Sequence, residues 1–303
     1  MKNLFLIKSD FENSRLDRWF RKNVCDVPQS LIEKNIRKGC IIVNKKRVKS
    51  SYKVQVNDKI ELKNIYLKPS AHKEKSTKYV ATKKDIKFTS SIFIESNENF
   101  AVINKPSGIA VQSGTKSKKN ILDILRSTKE FEDSMPYTVH RIDKETTGIL
   151  VVAKNRKYAQ LFTSLFRIRK IHKTYLGISI GEFQKKNGTL KDELFYYEGN
   201  KKIITKAHTN YEVIDSNNYY TLLKLNPITG RKHQLRKQLL VHGHPIIGDT
   251  KYKLTLNKLI TKNNLMLHAY KINFSIAGKK YAFTADPPQV FKDFLKQKYL
   301  KNF

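Results

Sequence analysis

The chain has 303 residues, of which 39% are hydrophobic, so it can form about two packed domains and is too apolar for a wholly disordered polymer. Lysines and arginines number 60 against 26 aspartates and glutamates, which gives a net charge of +34. This excess predicts a polyanionic partner, and nucleic acid is the leading candidate because each neutralised phosphate releases counterions. The alternative interpretation is a lysine-rich solvated surface that reflects the composition of the whole proteome.

Cysteine use and hydropathy favour a cytoplasmic protein. The two cysteines, Cys25 and Cys40, form no CxxC pair and are too few for a disulfide framework or a metal site, which is typical of a reducing compartment. The apolar run at 149–153 is far too short to cross a bilayer, and the first residues lack the pattern of a signal peptide. We therefore expect neither a membrane nor a metal ion as a partner.

Residues 1–62 are predicted to form a small module of helices and strands. Leu16, Trp19 and Phe20 recur at helical spacing within 15–21, which indicates an amphipathic helix with basic residues on its other faces. A second helix is expected at 31–38, ended by Gly39. A strand at 41–43, a basic turn and further strand structure up to residue 62 complete the module.

Residues 63–90 are predicted to be a basic linker. Eight lysines stand against two acidic residues, and the apolar periodicity is lost. A passive spacer and a segment that contacts phosphates are both compatible with this composition.

Residues 91–303 are predicted to form a larger α+β domain. Strands are expected at 91–95, 100–104, 149–153, 174–180, 207–213 and 220–225, with helices at 121–126, 157–166 and 232–242 and a hairpin at 269–284. Because strands and helices mix without regular βαβ alternation, a largely antiparallel sheet flanked by helices is favoured.

Two segments of this domain could carry chemistry. In the first, at 140–148, Asp143 lies near Arg141 in a turn before an apolar strand, where a carboxylate can be held ionised and oriented. A structural role, in which Asp143 satisfies turn N–H groups, fits the same residues. In the second, Gly230 ends a strand and opens the helix expected at 232–242, where residues 232, 233, 236 and 237 are predicted to share one basic face. This helix start suits a phosphate but also fits a solvated surface helix. Tyr175 alone indicates only a half-buried tyrosine in a strand.

Four motifs together resemble a known family. HRIDKETTGILVVAK (140–154) resembles the HRLDxxTSG signature of the pseudouridine synthases that modify ribosomal and transfer RNA. NKPSGIAVQSG (104–114), KTY (173–175), and LNPITGRKHQLR (225–236) with HPIIGDTKY (244–252) resemble its other motifs, in the family's order. Residues 14–62 resemble the S4 RNA-binding domain. GIAVQSG after an S4 domain is most similar to the family's large-subunit ribosomal RNA synthases of type C.

The resemblance implies roles for residues in this sequence. Asp143 would be the essential carboxylate, with Tyr175 against the target base and Arg236 paired with the aspartate. Arg141 would help to open the RNA or fill the space left by the flipped base. The predicted RNA and base-flipping set also includes His140, Arg231 and His233, and the predicted S4 set is Arg15, Arg18, Arg37, Lys38, Lys45, Lys46 and Arg47.

The resemblance also implies the reaction and its partner. We expect isomerisation of uridine to pseudouridine, without cofactor or metal, in large-subunit ribosomal RNA and by a monomer. The alternatives are a synthase for transfer RNA and a non-catalytic RNA-binding protein of ribosome assembly. Departures from the family pattern, such as Ile142 for Leu, Thr147 for Ser and Lys253 after Tyr252, put the details of the substrate in doubt more than the activity.

Overall fold

The chain divides into two compact units, Met1–Thr77 and Lys78–Phe303. The computed structural model describes residues 4–8, 11–63, 79, 81–82, 85, 89, 91–112, 119–198, 201–254 and 264–301. The division falls inside the predicted linker at 63–90, most of which lies outside the described residues. None of the helices in the described ranges is long and apolar enough to span a membrane.

The first unit is a three-stranded antiparallel sheet with two helices. Its elements are β1 (Leu4–Leu6), α1 (Leu16–Asn23), α2 (Gln29–Lys38), β2 (Ile41–Val43) and β3 (Lys59–Leu62), and the strand order is β1-β3-β2. Leu16, Phe20 and Ile36 are fully buried in its core, so the apolar spacing that predicted both helices is confirmed. Gly39 ends α2 in the left-handed conformation, as a C-terminal glycine does.

The second unit is built on one ten-stranded sheet. Its strands are β4 (Phe93–Ser96), β5 (Phe100–Lys105), β6 (Tyr137–Thr138), β7 (Thr147–Ala153), β8 (His172–Ile180), β9 (Asn187–Glu198), β10 (Lys201–Ser216), β11 (Tyr220–Pro227), β12 (Leu267–Ile276) and β13 (Lys279–Thr284). Its helices are α3 (Ile121–Leu125), α4 (Arg156–Arg167), α5 (Gln234–Val241) and α6 (Gln289–Gln297).

The sheet is antiparallel except where β7 meets β12. Its order is β4-β5-β7-β12-β8-β11-β10-β9, with β13 on β12 and β6 on β7, so the predicted α+β class with a largely antiparallel sheet is confirmed. Apolar cores lie between the sheet and its helices. Phe162 of α4 packs against Phe100 and Phe274, while Leu239 of α5 and Leu295 of α6 belong to a separate core.

One close approach aligns the segments that build the site. Gly148 of β7 and Tyr175 of β8 both pair with Ala269 of β12, so the three residues lie in one row across the sheet. Gly148 has a φ of +104°, and an added Cβ would lie 2.3 Å from the carbonyl oxygen of Ala269. Only glycine permits this approach. Asp143 lies in the loop just before β7. The row therefore places this loop beside Tyr175.

Four elements differ from the sequence prediction. Strand β9 was not predicted, and β10 is much longer than the strand expected at 207–213. Helix α6 was also missed, although Phe291 and Leu295 are buried. Helix α5 begins at Gln234 rather than at residue 232, because His233 adopts a left-handed conformation with a φ of 54°.

Candidate active site

One cavity of about 640 Å³ brings together the loop before β7, the start of β8, the end of β11 and the start of α5. All three predicted catalytic residues, Asp143, Tyr175 and Arg236, line it. The four residues of the predicted base-flipping set line it as well: His140, Arg141, Arg231 and His233. Segments that are more than 90 residues apart in the sequence therefore meet at one site.

Asp143 lies at the cavity with about a fifth of its side chain exposed. Its Oδ2 accepts a hydrogen bond from Nη1 of Arg236 at 3.1 Å. Its Oδ1 lies 3.8 Å from Nε2 of His233. Both contacts approach the carboxylate from the α5 side, which leaves it oriented and still accessible from the cavity.

Arg236 is fixed from behind by a second carboxylate. Its Nε and Nη2 donate to the two oxygens of Asp249 at 2.6 and 2.8 Å, and Asp249 is fully buried. Oδ1 of Asp249 also accepts the backbone N–H groups of Lys251 and Tyr252. Burial opposes the charge of Arg236, but the hydrogen bonds and charges of Asp249 and Asp143 outweigh burial and raise the pKa of the guanidinium. Arg236 is therefore a fixed cation beside Asp143.

Tyr252 connects the two groups that face Asp143. The guanidinium of Arg236 lies over its ring, 5.2 Å from the centroid, and its hydroxyl lies 2.8 Å from Nδ1 of His233. Burial is the main cause that lowers the pKa of His233. The charge of Asp143 opposes this, but Arg236 and nearby lysines lower the pKa further, so the imidazole is neutral at pH 7. Because Nε2 faces a carboxylate, we assign the proton to Nε2, and Nδ1 then accepts from Tyr252.

The segment at 104–114, which carries the NKPSG motif, holds the loop that contains Asp143. Lys105 is fully buried, and its Nζ donates to the carbonyl oxygens of Pro106, Ile109 and Lys144 at 2.6, 3.0 and 3.1 Å. The backbone N–H of Gly108 donates to the same Lys144 carbonyl at 2.9 Å. Burial lowers the pKa of Lys105 to about 7. Residue 144 follows Asp143 directly, so this motif positions the carboxylate through the backbone.

Tyr175 lies close enough to Asp143 for the two groups to interact electrostatically. Burial is the larger cause that raises the pKa of its phenol, and the charge of Asp143 raises it further. The phenol therefore stays protonated at neutral pH. It offers the cavity an aromatic face and a hydroxyl.

The base-flipping set comprises two neutral histidines, His140 and His233, and two exposed arginines. Nε2 of His140 accepts the backbone N–H of Val151 at 2.8 Å, its ring stacks on Phe166, and burial lowers its pKa to about 3. It thus presents an uncharged ring rather than a cation. Arg141 and Arg231 are exposed at the cavity, and Nε of Arg231 donates to a backbone carbonyl of β10. Their roles in base flipping remain predictions.

Comparisons with known proteins show the family of this chain. A family model described as RNA pseudouridylate synthase matches residues 99–240. "Ribosomal large subunit pseudouridine synthase C" of Buchnera aphidicola subsp. Schizaphis graminum is 33% identical over 97% of this chain and 96% of its own length. The protein of the same name from Vibrio vulnificus is 34% identical over 89% of this chain and 87% of its own. The chain belongs to the RNA pseudouridylate synthase family.

The solved structures agree with this membership. The structure titled "Human RNA Pseudouridylate Synthase Domain Containing 4" matches 72% of this synthase with a TM-score of 0.62, at 26% identity over 96% of its own chain. As a member of the family, the chain is an isomerase whose partner is RNA. The earlier expectation of a pseudouridine synthase is confirmed.

Besides Lys105, three residues of the synthase site escaped the sequence reasoning. Asp249 and Tyr252 lie in the quoted GDTKY segment, and Lys173 precedes Tyr175 in KTY, so all three were in the motifs but had no assigned role. Lys173 lines the cavity, and burial lowers its pKa. The missing information was spatial, because nothing in the spacing shows that residue 249 reaches back to residue 236.

The predicted RNA-binding residues of the first unit all lie on its surface. Arg15 forms an ion pair, since it donates to the buried Asp17 at 2.6 and 3.1 Å. The exposed set comprises Arg15, Arg18, Arg37, Lys38, Lys45, Lys46 and Arg47. Exposure makes these side chains available to phosphates, and their role remains a prediction.

Proposed function

We propose that this synthase converts uridines to pseudouridines in large-subunit ribosomal RNA, with Asp143 as the catalytic carboxylate. The observation that carries the proposal is the cavity that Asp143, Tyr175 and Arg236 line together. Arg236 there hydrogen-bonds to both Asp143 and Asp249. The substrate class rests on the relatives named for the ribosomal large subunit, which are similar over nearly the whole chain.

The reaction sets the requirements that the cavity must meet. The C1′–N1 bond of uridine breaks, the base turns, C1′ bonds to C5, and the proton on C5 is lost while N1 gains one. The atoms of the nucleotide only rearrange, so the reaction is balanced without an oxidant or a phosphate donor. The reacting atoms are inaccessible in a stacked base, so the nucleotide must leave the helix and enter a pocket. The cavity beside Asp143 is open and large enough to admit one.

Asp143 is suited to begin this sequence. A carboxylate can attack the sugar at C1′, attack the base at C6, or remove the C2′ proton, and each route needs it oriented towards the nucleotide. The hydrogen bond from Arg236 supplies that orientation. Arg236 also balances the carboxylate charge in a site that becomes drier when the RNA is bound.

Tyr175 is suited to hold the base. Its ring can stack on the flipped uracil, and the hydroxyl can hydrogen-bond to it. Removal of the C5 proton by a free phenolate is disfavoured, because burial and Asp143 both raise the pKa of the phenol. The tyrosine would therefore take part in proton transfer only by passing its own proton on.

The first unit and the cellular setting complete the proposal. The exposed basic side chains of the first unit suit an S4-type RNA-binding module that grips ribosomal RNA outside the pocket. We propose that the enzyme acts as a monomer in the cytoplasm, where ribosomal RNA is available.

The substrate is tested with unmodified transcripts labelled with tritium at uridine C5. The protein is incubated separately with large-subunit ribosomal RNA, small-subunit ribosomal RNA and a pool of transfer RNAs, without added cofactor. We expect tritium release from the large-subunit RNA at a kcat/KM at least tenfold above that for the others. Faster release from transfer RNA would replace the proposed substrate. Tight binding without release from any of them would favour the non-catalytic alternative.

A further inference from the structure

A second cavity of about 250 Å³ lies beside the candidate active site. Residues 194–196 and Thr205 of the β9–β10 hairpin line one side, and residues 230–232 with Lys237 line the other. Residues 230–232 also line the cavity that holds Asp143. The two cavities thus share one short turn as their common wall.

Two aromatic residues of the hairpin, Phe195 and Tyr196, line this cavity, and strand alternation directs the ring of Tyr196 towards it. Leu194 pairs with Thr205 in the β9–β10 ladder, and alternate side chains of a strand share a face, so Tyr196 projects on the same face as both. Tyr196 is 40% exposed. Phe195 and Tyr197 project from the opposite face, where their rings contact each other edge to face.

The opposite wall is strongly basic. Arg231, Lys232 and Lys237 line it, and within the described ranges none of them lies within 4 Å of a carboxylate. Nζ of Lys237 donates to the carbonyl oxygen of Phe195 at 2.9 Å, and Nε of Arg231 donates to that of Lys206 at 3.1 Å. These bonds hold the cations against the hairpin without neutralising them.

The cations also act on one another. Burial is the main cause that lowers the pKa of Lys237, and the positive charges of Lys251 and Lys232 lower it further. An anion bound at this wall would relieve that repulsion. The ligand therefore carries a negative charge and has a flat face that can stack on Tyr196.

We propose that this second cavity is a subsite for a nucleotide that flanks the target uridine, with its base stacked on Tyr196 and its phosphate held by Lys232 and Lys237. A nucleotide has the required flat base and anionic phosphate, and stacking on an aromatic side chain tolerates any base. One RNA strand can pass over the turn at 230–232 from one cavity to the other. The subsite rests on the proposed function, because it assumes that the first cavity takes a uridine of RNA.

The test compares two tyrosines on opposite faces of one strand. Tyr196→Ala removes the proposed stacking ring, Tyr196→Phe retains it, and Tyr197→Ala removes a ring that is 66% exposed outside the cavity. Tritium release from large-subunit ribosomal RNA is measured at raised salt, where general phosphate contacts contribute less. We expect Tyr196→Ala to lower kcat/KM roughly 5- to 150-fold, chiefly through KM, while the other two variants stay within twofold of the original protein.

A binding measurement separates this proposal from the proposed function. Each tyrosine variant is combined with Asp143→Asn, and its dissociation constant for the same RNA is measured. Selective weakening by Tyr196→Ala would support the subsite even if the original protein released no tritium, an outcome that would overturn only the proposed function. Equal affinity and equal kcat/KM for Tyr196→Ala and Tyr197→Ala would overturn the subsite, whatever the turnover.

Lys237 supplies an independent check. Lys237→Ala should reduce the slope of log affinity against log salt by about one phosphate contact. Lys279→Ala, which removes an exposed lysine of β13, should leave the slope unchanged. An unchanged slope for Lys237→Ala would remove the phosphate contact from the proposal.

Discussion

At the scale of single residues, the site depends on a buried cation that hydrogen-bonds to two carboxylates. Arg236 gives two hydrogen bonds to Asp249 and one to Asp143, and its side chain is only 5% exposed. Asp249 therefore acts through Arg236, although it lies away from the cavity. It also fixes the turn that carries Tyr252.

The first prediction concerns this positioning residue. Asp249→Asn removes one charge from a buried ion pair while it retains an acceptor oxygen, so the free energy of unfolding should fall by about 2–4 kcal/mol. We expect kcat to drop at least tenfold while KM changes less than threefold, because Arg236 no longer fixes Asp143. Urea unfolding and steady-state tritium release measure the two effects.

Asp192 of β9 offers a matched control, because it contacts the same helix, α5, at a different point. It accepts a hydrogen bond from Gln238 of α5 and lies 3.0 Å from His242, away from Asp143. Asp192→Asn should leave kcat within twofold. A normal kcat in Asp249→Asn, together with the expected loss of stability, would show that Asp249 supports only the fold.

At the scale of secondary structure, the junction of β7 and β12 depends on a buried histidine. His268 of β12 is fully buried, with Nδ1 2.8 Å from the hydroxyl of Thr147 and Nε2 2.8 Å from the carbonyl oxygen of Ala285. Since a carbonyl only accepts, Nε2 carries the proton, and Nδ1 accepts from Thr147. A second ring proton would break this arrangement.

The second prediction follows from the titration of His268. Burial is the main cause that lowers its pKa to about 4, while the Ala285 carbonyl and Asp286 act in the opposite direction and Lys292 lowers it further. An unfolded histidine has a pKa of about 6.5. Below pH 6.5, His268 therefore binds a proton in the unfolded chain but stays neutral in the folded chain. The free energy of unfolding consequently falls as the pH falls towards 4. From pH 7 to pH 5 this one group should cost about 2 kcal/mol.

A variant isolates that contribution. His268→Gln has no titrating ring, and its amide can still donate to the Ala285 carbonyl. The free energy of unfolding of each protein is measured by chemical unfolding at pH 7 and at pH 5. Between these pH values, the variant should lose about 2 kcal/mol less than the original protein. Equal losses in the two proteins would contradict the assignment of a neutral His268.

The elements that were predicted and those that were missed differ in where their apolar residues pack. Helix α1 and strand β5 bury one clear apolar pattern each, so local spacing predicted them. In β9, three consecutive charged residues separate Leu190 from Leu194, so the alternation that predicts a strand is absent. The strand is defined by its pairing with β10 and its contact with α5. Such non-local pairing leaves little trace in the local pattern.

In the site too, local motifs predicted some residues, while contacts between distant segments determined the features that were missed. The motifs indicated Asp143, Tyr175 and Arg236, and the structure places all three at one cavity. The sequence suggested that residues 232, 233, 236 and 237 share one helical face. Instead, His233 precedes the helix in a left-handed conformation and Arg236 points into the interior, because Asp249 compensates its charge there. Only tertiary structure brings that partner close.

At the scale of the whole molecule, the net charge of +34 suits RNA binding through more than one surface. The first unit carries seven exposed basic residues of the predicted RNA-binding set. Its core is separate from that of the second unit. Changes to these exposed side chains should therefore alter RNA affinity without altering the chemistry at Asp143.

The third prediction tests this separation. Replacement of Arg18, Lys38 and Lys46 by alanine should weaken binding to large-subunit ribosomal RNA and reduce the salt slope by up to about three phosphate contacts. The kcat at saturating RNA should stay within twofold. Replacement of Lys279, Lys280 and Lys296, which are exposed on the second unit, gives a control of equal charge that should change the slope by less than one contact. If the two triple variants changed the RNA affinity and the salt slope equally, the first unit would not supply specific contacts with the RNA.

The central claim is that Asp143 performs the isomerisation, and it is tested most directly by tritium release from large-subunit ribosomal RNA by Asp143→Asn. Asparagine keeps the size of the side chain and an acceptor for Arg236, so the fold and the RNA affinity should persist. We predict no release above background, with a dissociation constant within a few fold of the original protein. Release at a rate comparable to the original protein would contradict the account, because the catalytic group would then have to lie elsewhere.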